Sequence, residues 1–242
     1  MNPQSKLMPL ALTVTAAVLS TLVATMPAPA TIHAMRAEGT IEVESPFKFV
    51  MAPPEHGLVR LNNMAMLQLS QGRYDQAAAN FDSALAQFPD SALLVANRGF
   101  LFMQTGQYRK AVGYLQHALE LNPNSACAAL NLGLSQVQLE NYRQAMTYFN
   151  RAVELKSDFA LALSARGSLL HQMGDLRNAE SDLDRSIQID PTNAMAYNNR
   201  ALLRLSLDDL DGARDDLKIA ASLDPSSQLV KKNMEYIATR EK

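Results

Sequence analysis

The sequence predicts an all-helical array built from repeated pairs of helices. Three observations predict it: apolar residues recur at helical spacing from Leu58 onward, the pattern returns every 34 residues, and glycine or proline punctuates most returns at fixed offsets. Of the 242 residues, 48% are apolar and 19% charged, with a formal net charge of −2. That is the composition of an ordinary folded chain, and it supplies no global basic field for nucleic acid. Cys127 is the only cysteine, so the chain alone can build neither an intrachain disulfide nor a cysteine-based zinc site.

The first segment, 1–30, carries one charge, Lys6, ahead of a continuous apolar run from Leu7 to Met26. That is the anatomy of an export signal. Ala28 and Ala30 stand at the small-residue spacing of a signal-peptidase site, so cleavage is expected after Ala30, or alternatively after Ala34. No cysteine follows to carry a lipid. A run of this length also just spans a bilayer, so an uncleaved anchor formed by residues 7–26 is the competing reading. The body is expected to be exported, periplasmic or otherwise extracytoplasmic. Residues 31–57, with Gly39, Pro46, Pro53 and Pro54 and no helical period, read as a linker or N-terminal strap.

From Leu58 five phrases align without a gap: "QGRYDQAAANFDSAL", "TGQYRKAVGYLQHAL", "LENYRQAMTYFNRAV", "MGDLRNAESDLDRSI" and "LDDLDGARDDLKIAA". Alanine recurs at Ala77, Ala111, Ala145, Ala179 and Ala213, with Tyr74, Tyr108, Tyr142, Leu176 and Leu210 three residues earlier. Phe81, Leu115, Phe149, Leu183 and Leu217 form a large-residue row, and Ala84, Ala118, Ala152, Ser186 and Ala220 a small one. Turns are expected near Gly72, Gly106, Asn141, Gly174 and Asp208. Each second helix should stop at Pro89, Pro123, Pro191 or Pro225, with Ser157 replacing the fifth proline. Gly99, Gly133, Gly167 and Ala201 let neighbouring helices approach closely. The units are 58–91, 92–125, 126–159, 160–193 and 194–227. Residues 228–242 then form a capping helix in which Leu229, Met234 and Ile237 cover the last repeat, while Lys231, Lys232, Glu235 and Arg240 face water.

At these residues the chain resembles the tetratricopeptide repeat family, from Leu58 to about Ser227. The resemblance implies a right-handed α-solenoid of stacked antiparallel helix pairs with a concave groove. It also gives meaning to "AMAYNNRALLRL", where two asparagines and an arginine interrupt an otherwise apolar helix. The sixth position of each unit is Asn63, Asn97, Asn131, Ala165 and Asn199. In some family members such a row clamps the main chain of an extended peptide, and an amide, with a donor and an acceptor, suits that task. Asn198 is then a groove neighbour, and Arg200, at the seventh position with Arg98 and Arg166, folds back toward the inter-repeat surface. The alternative is that asparagine is merely tolerated on a wet inner face.

Other groove positions are largely apolar: Val59, Met66, Leu69, Leu93, Ala96, Phe100, Met103, Leu130, Leu134, Val137, Leu161, Met195, Leu202 and Leu205. Some are core; the rest suit an apolar side chain or an amphipathic helix, or else self-association. No first helix contains a lysine, which disfavours the family mode that clamps a C-terminal carboxylate.

No catalytic constellation is legible. His33, His56, His117 and His171 are too scattered in register for a metal set, and Cys127 has no basic neighbour to make a thiolate. "DDLDGARDD", Asp208 to Asp216, lacks the spacing and closing glutamate of a calcium loop and lies where carboxylates complement a helix dipole. There is no phosphate loop or nucleophile elbow. The expectation is a non-enzymatic adaptor without cofactor, binding a protein or peptide segment in its groove, in cell-envelope assembly or secretion. A self-assembling scaffold and a regulatory subunit of an enzyme supplied in trans are the alternatives.

Overall fold

The computed structural model describes residues 41–43, 49–51 and 57–240. The expected export signal or anchor lies outside the described residues. Within the segment expected to be a strap, β1 (Ile41–Val43) and β2 (Phe49–Met51) pair antiparallel, Ile41 opposite Met51 and Val43 opposite Phe49. The strap therefore contains a short hairpin that its proline content did not announce. Among the described residues everything else regular is helical, and no helix there is long and apolar enough to cross a membrane.

Contacts divide the chain into two units, with the boundary between Asn141 and Tyr142. The first contains α1 (Gly57–Ser70), α2 (Tyr74–Gln87), α3 (Ala92–Gln104), α4 (Tyr108–Leu121) and α5 (Ala126–Gln138). Here α1 pairs with α2 and α3 with α4, while α3 also packs on α2 and α5 on α4. The second contains α6 (Tyr142–Leu155), α7 (Ala160–Gln172), α8 (Leu176–Ile189), α9 (Ala194–Ser206), α10 (Leu210–Leu223) and α11 (Gln228–Arg240). There α7 pairs with α8 and α9 with α10, α6 packs on α7, and α11 closes against α10. Both units are stacked antiparallel helix pairs.

Local chemistry sets the boundaries. Three of the first helices start behind a side-chain cap: Ser91 Oγ accepts from the Leu94 amide, Ser125 Oγ from Ala128, and Asn193 Oδ1 from Met195 and Ala196, whereas α7 starts behind Phe159 with none. First helices stop in a turn whose 6→1 bond runs from Arg73 N to Gln68 O, Gln107 N to Phe102 O, Asn141 N to Gln136 O, Asp175 N to Leu170 O and Asp209 N to Arg204 O. The residue before each of these donors is left-handed: Gly72, Gly106 and Gly174, but also Glu140 at φ 60° and Asp208 at φ 61°. The third turn thus pivots on Glu140 rather than Asn141, because the 34-residue register outranks the better turn former next door.

The alanine and large-residue rows are the core. Ala77, Phe81, Ala84, Ala111, Leu115, Ala145, Phe149, Ala179, Leu183, Ala213 and Leu217 are fully buried. Gly99 and Gly167 face them from the first helices. A Cβ on Gly99 would lie 2.9 Å from Leu115 Cγ, and one on Gly167 2.9 Å from Leu183 Cγ and 3.1 Å from the Ala179 carbonyl oxygen. The last helix meets its expectation in part, since Ile237 is buried and Leu229 packs against the same cluster. Val230, Asn233 and Ile237 are buried, while Met234 is exposed. Ser227 Oγ caps the Val230 amide at the start of this helix, and Val230 and Ile237 pack on Tyr197, Leu202, Leu205 and Leu217.

Candidate protein-binding surface

The asparagines of the first helices are tied sideways. Asn97 Nδ2 donates to Asn62 Oδ1 at 2.7 Å, joining α3 to α1. Asn199 Nδ2 donates to Ser164 Oγ at 3.2 Å, joining α9 to α7, and Asn233 Nδ2 to Asn198 Oδ1 at 2.7 Å, joining α11 to α9. All three bonds span 35 residues, one more than the repeat, so the sixth position of one first helix reaches the fifth of the preceding one. Sequence reading found the sixth-position row and missed its partners Asn62, Ser164 and Asn233. The signal was present, since a small polar residue stands at the fifth position wherever a bond forms.

This stitching is incomplete. Asn131 Oδ1, Asn199 Oδ1 and Asn198 Nδ2 are buried with no hydrogen-bond partner among the described residues. For Asn131 the reason is visible in the register: the fifth position of the preceding unit is Ala96, which offers nothing to bond. An unpaired buried polar atom costs about 1–3 kcal/mol. The remaining expected groove residues divide by depth. Asn97, Phe100, Met103 and Leu134 are buried, whereas Asn63, Leu161 and Met195 are half-buried. Asn63 sits one residue past the bonding position of α1, where Asn62 takes the contact to Asn97.

The arginines at the seventh position serve a different network. Arg166 Nε and Nη2 grip Asp182 at 2.6 and 2.8 Å, and its Nη1 donates to Asn150 Oδ1 at 3.1 Å. Arg200 repeats the arrangement with Asp216 at 2.9 and 2.7 Å and with Asp184 at 2.8 Å. Asp216 also receives Arg204 Nη1 at 2.8 Å. Arg98 makes the backward ion pair, to Asp82 at 2.9 and 3.2 Å, and lays its guanidinium over the Phe102 ring at 4.6 Å. Each forked contact is 16 residues away, forward to the helix of the same pair or back to the preceding one. The hydrogen bond to Asp182 raises Arg166 above its ordinary range, and the bond to Asp216 does the same for Arg200.

The aspartate cluster dissolves into separate tasks. Asp208 makes a turn, Asp209 caps the Gly212 amide at 2.9 Å, Asp211 and Asp215 pair with Arg214 and Lys218, and Asp216 is buried under two arginines. No three metal-ligating side chains converge among the described residues. His171 Nε2 lies 3.1 Å from Ser206 Oγ. Ser206 Oγ itself donates to the Leu203 carbonyl oxygen at 2.6 Å. Burial pushes the His171 pKa down. Cys127 is half-buried.

Four tetratricopeptide repeat models match residues 63–91, 90–158, 130–194 and 183–215, which together run without a break over well more than half of the chain. The chain belongs to the tetratricopeptide repeat family. No curated protein sequence matches it. Among solved structures it is similar to TTC0263, a tetratricopeptide repeat protein of Thermus thermophilus, at TM-score 0.66 and 18% identity over 75% of this chain and 99% of that one. PilW, a widely conserved type IV pilus biogenesis factor, matches at TM-score 0.64 and 21% identity over 76% of this chain and 91% of that one. YrrB, described as having an unusual peptide-binding site, matches at TM-score 0.55 and 25% identity over 74% of this chain and 92% of that one. Tetratricopeptide repeat proteins generally mediate contacts between proteins and are typically non-catalytic scaffolds.

Proposed function

We propose that this tetratricopeptide repeat protein is a non-enzymatic adaptor whose first-helix surface captures a segment of another protein, extended or as an amphipathic helix. The observation that carries this reading is that, within the tetratricopeptide repeat fold, expected groove residues of the first helices stay part-exposed: Asn63 offers an amide with a donor and an acceptor, and Leu161 and Met195 offer apolar contact, whereas the unpaired atoms of Asn131, Asn198 and Asn199 are buried. In the first unit half-buried Asn63 flanks the asparagine row, and Phe100, Met103 and Leu134 give its apolar floor. In the second unit half-buried Leu161 and Met195 flank it. The YrrB likeness supports a peptide as the ligand class.

An exported location, with the chain serving cell-envelope assembly or secretion, is supported by the apolar run at Leu7 to Met26 and by the likeness to a pilus biogenesis factor. The test is affinity capture from soluble and membrane fractions with the wild type and with Asn97→Ala combined with Asn131→Ala. A partner held by the wild type and lost by a folded double variant is the expected result. Equal capture by both removes the asparagines from the binding surface. Recovery of the chain's own copies alone favours a self-assembling scaffold.

A further inference from the structure

Among the described residues, the first helices α1, α3, α5, α7 and α9 contain no aspartate, glutamate or lysine. Apart from His171, their basic side chains are all arginines, and the ion pairs turn most of these away. Arg98 reaches Asp82 of α2, Arg166 reaches Asp182 of α8, and Arg200 and Arg204 both reach Asp216 of α10. Arg60 stands at the third position of its unit, where Leu94, Ala128, Ala162 and Ala196 of later units are buried. It therefore belongs to the packing side of α1. His171 meets Ser206, and burial keeps its ring neutral at pH 7.5.

Stacking does not impose this absence of charge. Helix α11 keeps the same register and packs through Val230 and Ile237, yet Lys231, Lys232 and Glu235 stand exposed on it. Every second helix carries an acidic side chain. Burial does not impose it either. Leu93 is 39% exposed, and Asn63, Met66, Ala96, Leu161 and Met195 are half-buried, so water reaches positions that remain uncharged. In each unit the first-helix side turned from the second helices thus presents amides, hydroxyls and apolar side chains without a free charge. A charged side chain laid on it would lose water and find no counter-charge, because the arginines are already held by aspartates. An aliphatic side chain loses nothing there.

We infer that the partner segment is uncharged where it meets this face and is held through aliphatic side chains, its own charges standing outside the contact. The inference rests on the first-helix surface being the binding face, as proposed above. The face then selects as much by rejecting ions as by attracting apolar groups. The probe is a random dodecapeptide library displayed on phage and selected on the full chain at pH 7.5. Selected peptides are then measured against wild type, against Leu93→Glu combined with Leu161→Glu, and against Ile189→Glu on α8. Circular dichroism checks that each variant is folded. The expected peptides carry Asp, Glu, Lys and Arg at less than half the library's frequency. Their affinity for wild type changes less than twofold between about 50 and about 500 mM NaCl, since no ion pair is there to screen. The double variant weakens them at least tenfold, and Ile189→Glu leaves them unchanged. Peptides that the double variant loses but that are rich in charge, or that weaken tenfold with salt, overturn the inference and leave the binding face standing. Peptides held equally by the folded double variant remove the face itself, and the proposed function with it. A wild-type dimer by light scattering that Leu93→Glu dissolves makes a second copy the occupant, which also overturns the inference.

Discussion

At the scale of single residues, buried polar side chains decide where this protein is vulnerable. Asp216 is 1% exposed and holds two guanidinium groups. Asp216→Ala strands both, and loss of about 3 kcal/mol is expected, measured by urea unfolding. The exposed pairs Arg214 with Asp211 and Lys218 with Asp215 should each cost under about 1 kcal/mol in the same measurement. His171 sets a pH response. Burial lowers its folded pKa, so the unfolded chain takes up the proton first, near the ordinary value of about 6.5. Its contribution to stability is full above that pH and is lost as pH falls through the unfolded and then the folded pKa. The difference in melting temperature between wild type and His171→Gln should therefore shift in favour of the variant from pH 7.5 to pH 5.5. These residues were the least legible in the sequence. Asp211 lies in the first turn of its helix and reads as a dipole partner, whereas Asp182 and Asp216 stand mid-helix, 16 residues from an arginine.

At the scale of elements, turn chemistry and close approach dominate. Glu140 holds a left-handed conformation that its Cβ disfavours, while three equivalent positions are glycine. Glu140→Gly should stabilise by about 0.5–1 kcal/mol despite the freedom glycine gains in the unfolded chain, and calorimetry reads the gain. Gly167→Leu acts in the other direction. Its first added carbon meets Leu183 Cγ and the Ala179 carbonyl, so a loss of about 1–3 kcal/mol is expected by denaturant titration. The element boundaries and the core were legible because alanine and a large residue keep one register through five units, and proline through four of them. The buried face of α11 was legible only in part, because the helix has apolar residues, Leu229, Val230, Met234 and Ile237, on more than one side, and the cluster takes all but Met234.

At the scale of the molecule, each unit depends on its end elements. Val230 and Ile237 of α11 share a cluster with Tyr197, Leu202, Leu205, Leu217 and Ala220. Ile237→Ala opens a cavity at that end and should cost about 2–5 kcal/mol, seen as a lower melting temperature and faster exchange in α9 and α10 than in α3. The helix-pair architecture and the asparagine row were legible from residues alone, because both are periodic. The neighbours of the row were not, because a hydrogen bond between repeats is a relation between two registers rather than a property of one.

The 35-residue bonds between first helices make the repeats less alike than their packing suggests. Every unit carries small and large residues in the same register, so in pattern one unit resembles any other. The polar stitch differs from unit to unit. Asn199 needs the hydroxyl that Ser164 supplies one repeat earlier, Asn233 needs Asn198, and Asn97 needs Asn62, whereas Asn131 follows Ala96 and finds nothing. Reordering the units would preserve the hydrophobic pattern and scramble the donors and acceptors. Part of the order of the repeats is therefore written in the amides, which address the second unit to the first, the fifth to the fourth and the closing helix to the fifth.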